Sequence, residues 1–377
     1  MFLGIPASRW SRAGVAFVLG LLTAGILWRY ARREGRAEAL RPTPAPTDVP
    51  TVFTEPRLNV PETRLAELLR ERSAARTVEE KNALASALAD FARRVHFQSA
   101  AGSIVSLTAF NAALRLRREA GDRRGQADIL QSRAETQAML GKPELAKIDL
   151  QEALTISQKS ADAALQQAVI LYLLGELERQ SGHYDSARSY LDRSLAIRQA
   201  NQERNGEADC LRALGQVSYE EGQYALARRS LTEAIGIYSS LGKAQSRAAA
   251  LGQLGDVALA QGAAEEASQF YDEGLAIWRK ANQEFWIGRF LARQAELALR
   301  RNQPTRAEQL AQESMALLER SNGPMEAAWA REVLGKIALC NGNQAEGRRL
   351  LEQAHGEFAR LGKAYSKRRV ERILKAN

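Results

Sequence analysis

The stretch LGELERQSGHYDSA, Leu174 to Ala187, returns as LGQVSYEEGQYALA at Leu214 to Ala227 and as LGDVALAQGAAEEA at Leu254 to Ala267, each copy forty residues after the last. The interval continues through a degenerate Gln294-Ala295 to Leu334-Gly335. Seven residues past each second position stand Gly182, Gly222, Gly262, Asn302 and Gly342, and five further on stand Ala187, Ala227, Ala267, Ala307 and Gly347. A weaker copy, one residue out of step, runs from Ala134 through Gly141 to Ala146, and another precedes it near Gly102. A fixed period of this length means one supersecondary unit repeated, with each unit packing on its neighbours.

Within a unit, Ile170, Leu173, Leu174 and Leu177 fall at i, i+3, i+4 and i+7, which predicts an apolar stripe on one helix. Ala187, Leu191, Ser194 and Leu195 predict a second helix by the same spacing. Gly or Asn between them enters the left-handed conformation at least cost, as a helix end requires. Small residues at Gly175 and Ala187 suit a close helix crossing. Pro143, Pro304 and Pro324 each sit where a helix should begin, the position where a missing N–H costs nothing. Each unit is therefore expected to be a helical hairpin whose apolar face is buried only by stacking.

The L-G…G-x-Y…A pattern, carried by Leu174, Gly175, Gly182, Tyr184 and Ala187 and again by Leu214, Gly215, Gly222, Tyr224 and Ala227, resembles the tetratricopeptide repeat of the forty-residue bacterial type. The resemblance implies an all-α, right-handed superhelix of about six to seven hairpins over residues 62–361, with clear units at 164–361. Phrases such as REAGDRRGQAD at Arg118 to Asp128 are similar to repeat arrays that precede a caspase-like protease, but no protease sequence follows here. In that family the first helix of each hairpin lines the concave face. Carried over position by position, the partner-binding face comprises Tyr172, Glu176, Arg179, Arg212, Gln216, Tyr219, Asp256, Leu259, Arg289, Glu296, Trp329 and Lys336, with Glu332 beside them. The chaperone-binding members use a Lys and Asn carboxylate clamp; this chain has Glu, Gln, Asp, Glu and Lys at the Asn position, which argues against that ligand.

The formal net charge of +9 is confined to the ends: residues 1–60 carry +4 and residues 360–377 carry +6, so residues 61–359 sum to −1. Nucleic acid needs a clustered basic face, and the body offers none. Near the N-terminus, after a short tail of residues 1–12, Ala13 to Trp28 is free of charge and flanked by Trp10, Trp28 and Tyr30. This predicts a transmembrane helix over residues 13–30 in contact with the lipid bilayer, in preference to a cleaved signal, because no small-x-small site directly follows Trp28. Two Arg precede the span and five follow it closely, which favours a cytoplasmic repeat body over a periplasmic one. Residues 31–61 hold six of the ten prolines and predict an extended linker. Residues 362–377 predict a basic capping helix that solvates the open end of the stack.

Catalytic signals are weak. His96, His183 and His355 have no metal-ligand spacing, and no phosphate-cradling glycine loop is present. Ser240 to Lys243 matches SxxK, yet LGKA recurs at Leu361 to Ala364, three periods on, so a helix-ending glycine explains it. Cys210 and Cys340 lie in apolar helical contexts and read as buried thiols. Phe270, Tyr271, Trp278, Phe285, Trp286 and Phe290 follow helix-stripe spacing and read as repeat-to-repeat core. The expectation is a non-enzymatic, membrane-tethered adaptor for a protein or peptide, with no cofactor, no metal and no small-molecule substrate. The alternatives are an accessory docking subunit for a separate enzyme or secretion machinery, and a nucleic-acid or signalling regulator using the basic C-terminal helix.

Overall fold

The computed structural model describes residues 60–376 except 73, 96–99, 161–162 and 321–323. The predicted span at 13–30 and most of the linker at 31–61 lie outside the described residues, and among the described residues no helix is long and apolar enough to cross a membrane. The linker is shorter than expected, because its last two residues begin α1 (Val60–Glu71).

Seven hairpins follow among the described residues: α2 (Val78–Val95) with α3 (Ala100–Glu119), α4 (Arg123–Met139) with α5 (Pro143–Ser157), α6 (Ala164–Ser181) with α7 (Tyr184–Ala200), α8 (Arg204–Glu220) with α9 (Tyr224–Ser240), α10 (Ala244–Ala260) with α11 (Ala264–Lys280), α12 (Glu284–Arg300) with α13 (Pro304–Arg320), and α14 (Pro324–Cys340) with α15 (Gln344–Arg360). The final helix is α16 (Ala364–Ala376). From α6 onward the first helix of every unit starts forty residues after its predecessor, and α16 keeps that register, starting forty after Pro324. It is thus the first helix of an eighth unit.

The turns obey the glycine pattern. Gly182, Gly222, Gly262 and Gly342 have φ between +81° and +84°, and Asn302 takes the same region at +56°. At Gly182 the amide of His183 bonds the carbonyl of Glu178 and that of Gly182 bonds Arg179, closing the last turn in a Schellman motif. Gly242, the glycine of the SxxK match, has φ +65° and does the same service between units.

The recurrence of LG has a packing cause. A Cβ on Gly175 would lie 2.6 Å from Leu191 Cγ, one on Gly215 would lie 2.8 Å from Leu231 Cγ, and one on Gly335 would lie 2.9 Å from Leu351 Cγ. A leucine of the second helix fills the notch that each glycine leaves in the first. In the Leu254 unit Tyr271 fills it instead, 2.4 Å from where a Gly255 Cβ would be. Ile170, Leu174, Ala187, Leu191 and Ser194 are all buried, as their spacing predicts.

Half of the aromatic cluster is core: Tyr271, Trp278 and Phe290 are buried, with Trp286 stacked on Trp278 at 4.7 Å, whereas Phe270, Phe285 and Trp286 are half-buried. Cys210 is buried beside Ser194, but Cys340, the last residue of α14, is exposed, because it lies on the inner face that the next helices do not cover.

Candidate functional site

Because α6, α8, α10, α12, α14 and α16 are successive first helices, their side chains share one inner face. Polar pairs tie most of these helices to the next. Between α6 and α8, Arg179 pairs with Glu220, and Arg212 donates to the Tyr172 hydroxyl at 3.1 Å. Between α10 and α12, Arg293 clamps Asp256 through Nε and Nη2, both at 2.9 Å. Lys336 joins α14 to Glu296 of α12 at 2.9 Å, and Arg369 of α16 grips Glu332 of α14 at 2.8 and 2.5 Å. Between α8 and α10 no such bond is present among the described residues.

These ties are buried. Glu332 has no exposed side-chain surface and Asp256 has 17%. Burial opposes ionisation of Glu332, but the neighbouring charges of Arg369 and Lys336 hold its carboxyl below the ordinary 4.5. Glu176 behaves likewise, with burial countered by Arg179. Burial, aided by the charge of Glu176, pushes the Tyr172 phenol up to about 12.

The face encloses a channel of 920 Å³. All of the predicted partner-binding positions line it except Tyr172. Tyr172 packs instead against the buried cluster of Ala187, Leu191, Ala213, Leu214 and Val217, under the Arg198 guanidinium at 5.9 Å, and its hydroxyl steadies Arg212. It therefore stands behind the channel lining, in contact with Arg212.

The wall the sequence reading missed is α16. Expected as a solvated cap, it solvates only its outer side: Val370 is fully buried against the α14–α15 core, and Tyr365, Arg369 and Arg372 face the channel. The clue was present, since Arg369 lies forty residues after Trp329 and eighty after Arg289. The start of α16 also reaches the first clear unit. Lys363 bonds Gln180 at 2.5 Å, Arg368 bonds the Tyr184 hydroxyl at 2.9 Å, and Tyr365 lies 6.0 Å from Tyr219. The stack has completed a turn and met itself.

Two sequence profiles described as tetratricopeptide repeat match residues 166–240 and 247–284. No curated protein matches by sequence. Among solved structures the chain is similar to the apo form of RapI, with 15% identity, 74% of this chain and 99% of that chain covered, and a TM-score of 0.62. It is similar to aspartyl phosphate phosphatase F from Bacillus subtilis, with 14% identity, 67% and 65% covered, and a TM-score of 0.59. A third is the Rap conjugation gene regulator of the plasmid pLS20, solved with the Phr* peptide, with 16% identity, 88% and 82% covered, and a TM-score of 0.57. At these identities the likeness is one of fold. Profile, register and fold agree on an all-helical, tetratricopeptide-like solenoid in which repeats of that type are recognised over residues 166–240 and 247–284.

Proposed function

We propose that the chain is a non-enzymatic scaffold that captures a partner protein or peptide in the channel enclosed by its first helices. The observation that carries this reading is the channel itself, lined along six successive units by charged and aromatic side chains whose rotamers are fixed by buried pairs. Fixed polar groups with aromatic neighbours supply orientation and anchoring at low entropic cost. The similar pLS20 regulator was solved with a peptide, which agrees with a peptide-sized occupant here. The uncharged run at residues 13–28, with its basic and proline-rich sequel, supports tethering to a membrane with the repeat body on the cytoplasmic side.

The test places a photo-crosslinking residue at Tyr219, in the channel, and in a second protein at Arg229, exposed on α9. A partner trapped from Tyr219 and not from Arg229 supports the reading; trapping from Arg229 alone removes the channel from consideration. Carbonate extraction checks the tether: a chain released from membranes is not anchored.

A further inference from the structure

The channel wall carries nine basic side chains against four acidic ones, although residues 61–359 as a whole are nearly neutral. All four acids are already held by wall cations: Glu176 and Glu220 by Arg179, Asp256 by Arg293, and Glu296 by Lys336. Arg369 is held by Glu332 just behind the wall, and the wall as a whole keeps a positive surplus. It is best defined at the α8–α10 step, where the ladder of interhelix pairs is interrupted. There Arg212 has a hydrogen bond to a neutral hydroxyl and no carboxylate within ion-pair distance among the described residues. At the same step Gln253 lines the channel, and its Oε1 is buried without a hydrogen-bond partner. Amide oxygen and nitrogen exchange places by a flip, so Gln253 can present either a donor or an acceptor.

Resting on the channel reading above, we propose that the occupant is an acidic peptide, and that one of its carboxylates completes the interrupted ladder by pairing with Arg212 beside Gln253. A guanidinium offers five donors in a planar fork that matches a carboxylate bidentately. Its donors meet the hydroxyls of Tyr172 and Tyr238, which fix the fork's orientation, while the nearby carboxylates of Glu176 and Asp209 stay outside ion-pair distance of it. Every other step of the ladder has its charges or dipoles answered from within the chain, so the register of the peptide is set by this one step.

The experiment uses the full-length protein in detergent micelles and three fluorescein-labelled heptapeptide pools that share Ala, Leu and Tyr fillers. One pool is rich in Asp and Glu, one in Asn and Gln, and one in Lys and Arg; binding is read by anisotropy. The acidic pool should bind about tenfold more tightly than the amide pool, with affinity falling as salt is raised. Arg212→Gln should remove that preference, and Arg212→Lys should restore part of it. If Arg212→Gln lowers the melting temperature, the comparison of pools on the unaltered protein still decides. Equal binding of the acidic and amide pools, or tighter binding of the basic pool, overturns the proposal and leaves the channel reading intact. Binding of none of the pools overturns both.

Discussion

Arg368 Nη2 donates to the hydroxyl of Tyr184 at 2.9 Å, and the two stand 184 positions apart in the chain. The guanidinium also sits 5.9 Å from the Tyr184 ring, and a Cβ on Gly182 would lie 2.9 Å from the same Nη2. Nearby, a Cβ on Gly141 would lie 2.8 Å from the carbonyl oxygen of Arg360. Contacts of this kind join the end of the stack to the turns after α4 and α6. They are polar and mostly exposed, so they are weak individually.

Arg368→Ala should therefore cost about 0.5–1 kcal/mol of global stability or less. Its larger effect should be local. Amide exchange at residues 181–184 and 363–369 should accelerate while α10 and α12 stay protected. Unchanged exchange at both segments would show that the seam is held by other contacts.

Glu332 and Arg369 behave differently because their pair is buried. Arg369→Ala should cost about 3 kcal/mol, the low end for a broken buried pair, since Lys336 remains 3.1 Å from the carboxylate. The folded-state pKa of Glu332 lies below its ordinary 4.5, so the folded form binds fewer protons than the unfolded one near that pH. The contribution is thus full above pH 4.5 and is lost as the pH falls through the lowered value. Chemical denaturation of Glu332→Gln should show a deficit at pH 7 that shrinks by pH 3; a deficit independent of pH would count against the pair.

Gly255→Ala sets two effects against each other. Alanine gains about 1 kcal/mol of helix propensity over glycine. The new methyl would meet Tyr271 Cε1 at 2.4 Å, and that ring is fully buried with its hydroxyl on Asp256 at 2.9 Å. Overpacking of about 1–3 kcal/mol should win, giving a net loss measurable by urea denaturation. A stabilised variant would mean that α10 and α11 separate more easily than their packing implies.

Leu214→Asp, on the buried stripe of α8, should cost about 4 kcal/mol or more and carry neighbouring units with it. Tyr219→Ala removes a channel ring 6.0 Å from Tyr224 and Tyr365 and should spare the far units. Circular dichroism melts separate the two: one should lose amplitude or cooperativity across the fold, and the other should shift by only a few degrees.

Hairpin boundaries were legible because glycine at a left-handed turn and proline at a helix start are local requirements, satisfied by Gly182 and Pro304 whatever surrounds them. The inner face was legible because side-chain direction follows from helix phase, which is why Glu176, Asp256 and Lys336 all reach the channel. Tyr172 misled because phase gives direction and not depth; its ring stops under Arg198 before reaching the channel. The role of α16 stayed hidden because its contacts with Gln180 and Tyr184 depend on how far the stack rotates per unit. That rotation accumulates from small shifts at every helix crossing, and no single position encodes it.

The meeting of Arg368 with Tyr184 turns the number of hairpins into a counted quantity. Excising residues 244–283 would remove one whole period and leave every remaining hairpin with a neighbour of the right shape. In an open array such a deletion changes only length. Here it would carry the last helix out of phase with the first clear unit and leave the channel without its final wall. The gain or loss of a single repeat, which most solenoids tolerate, is in this chain a change of topology.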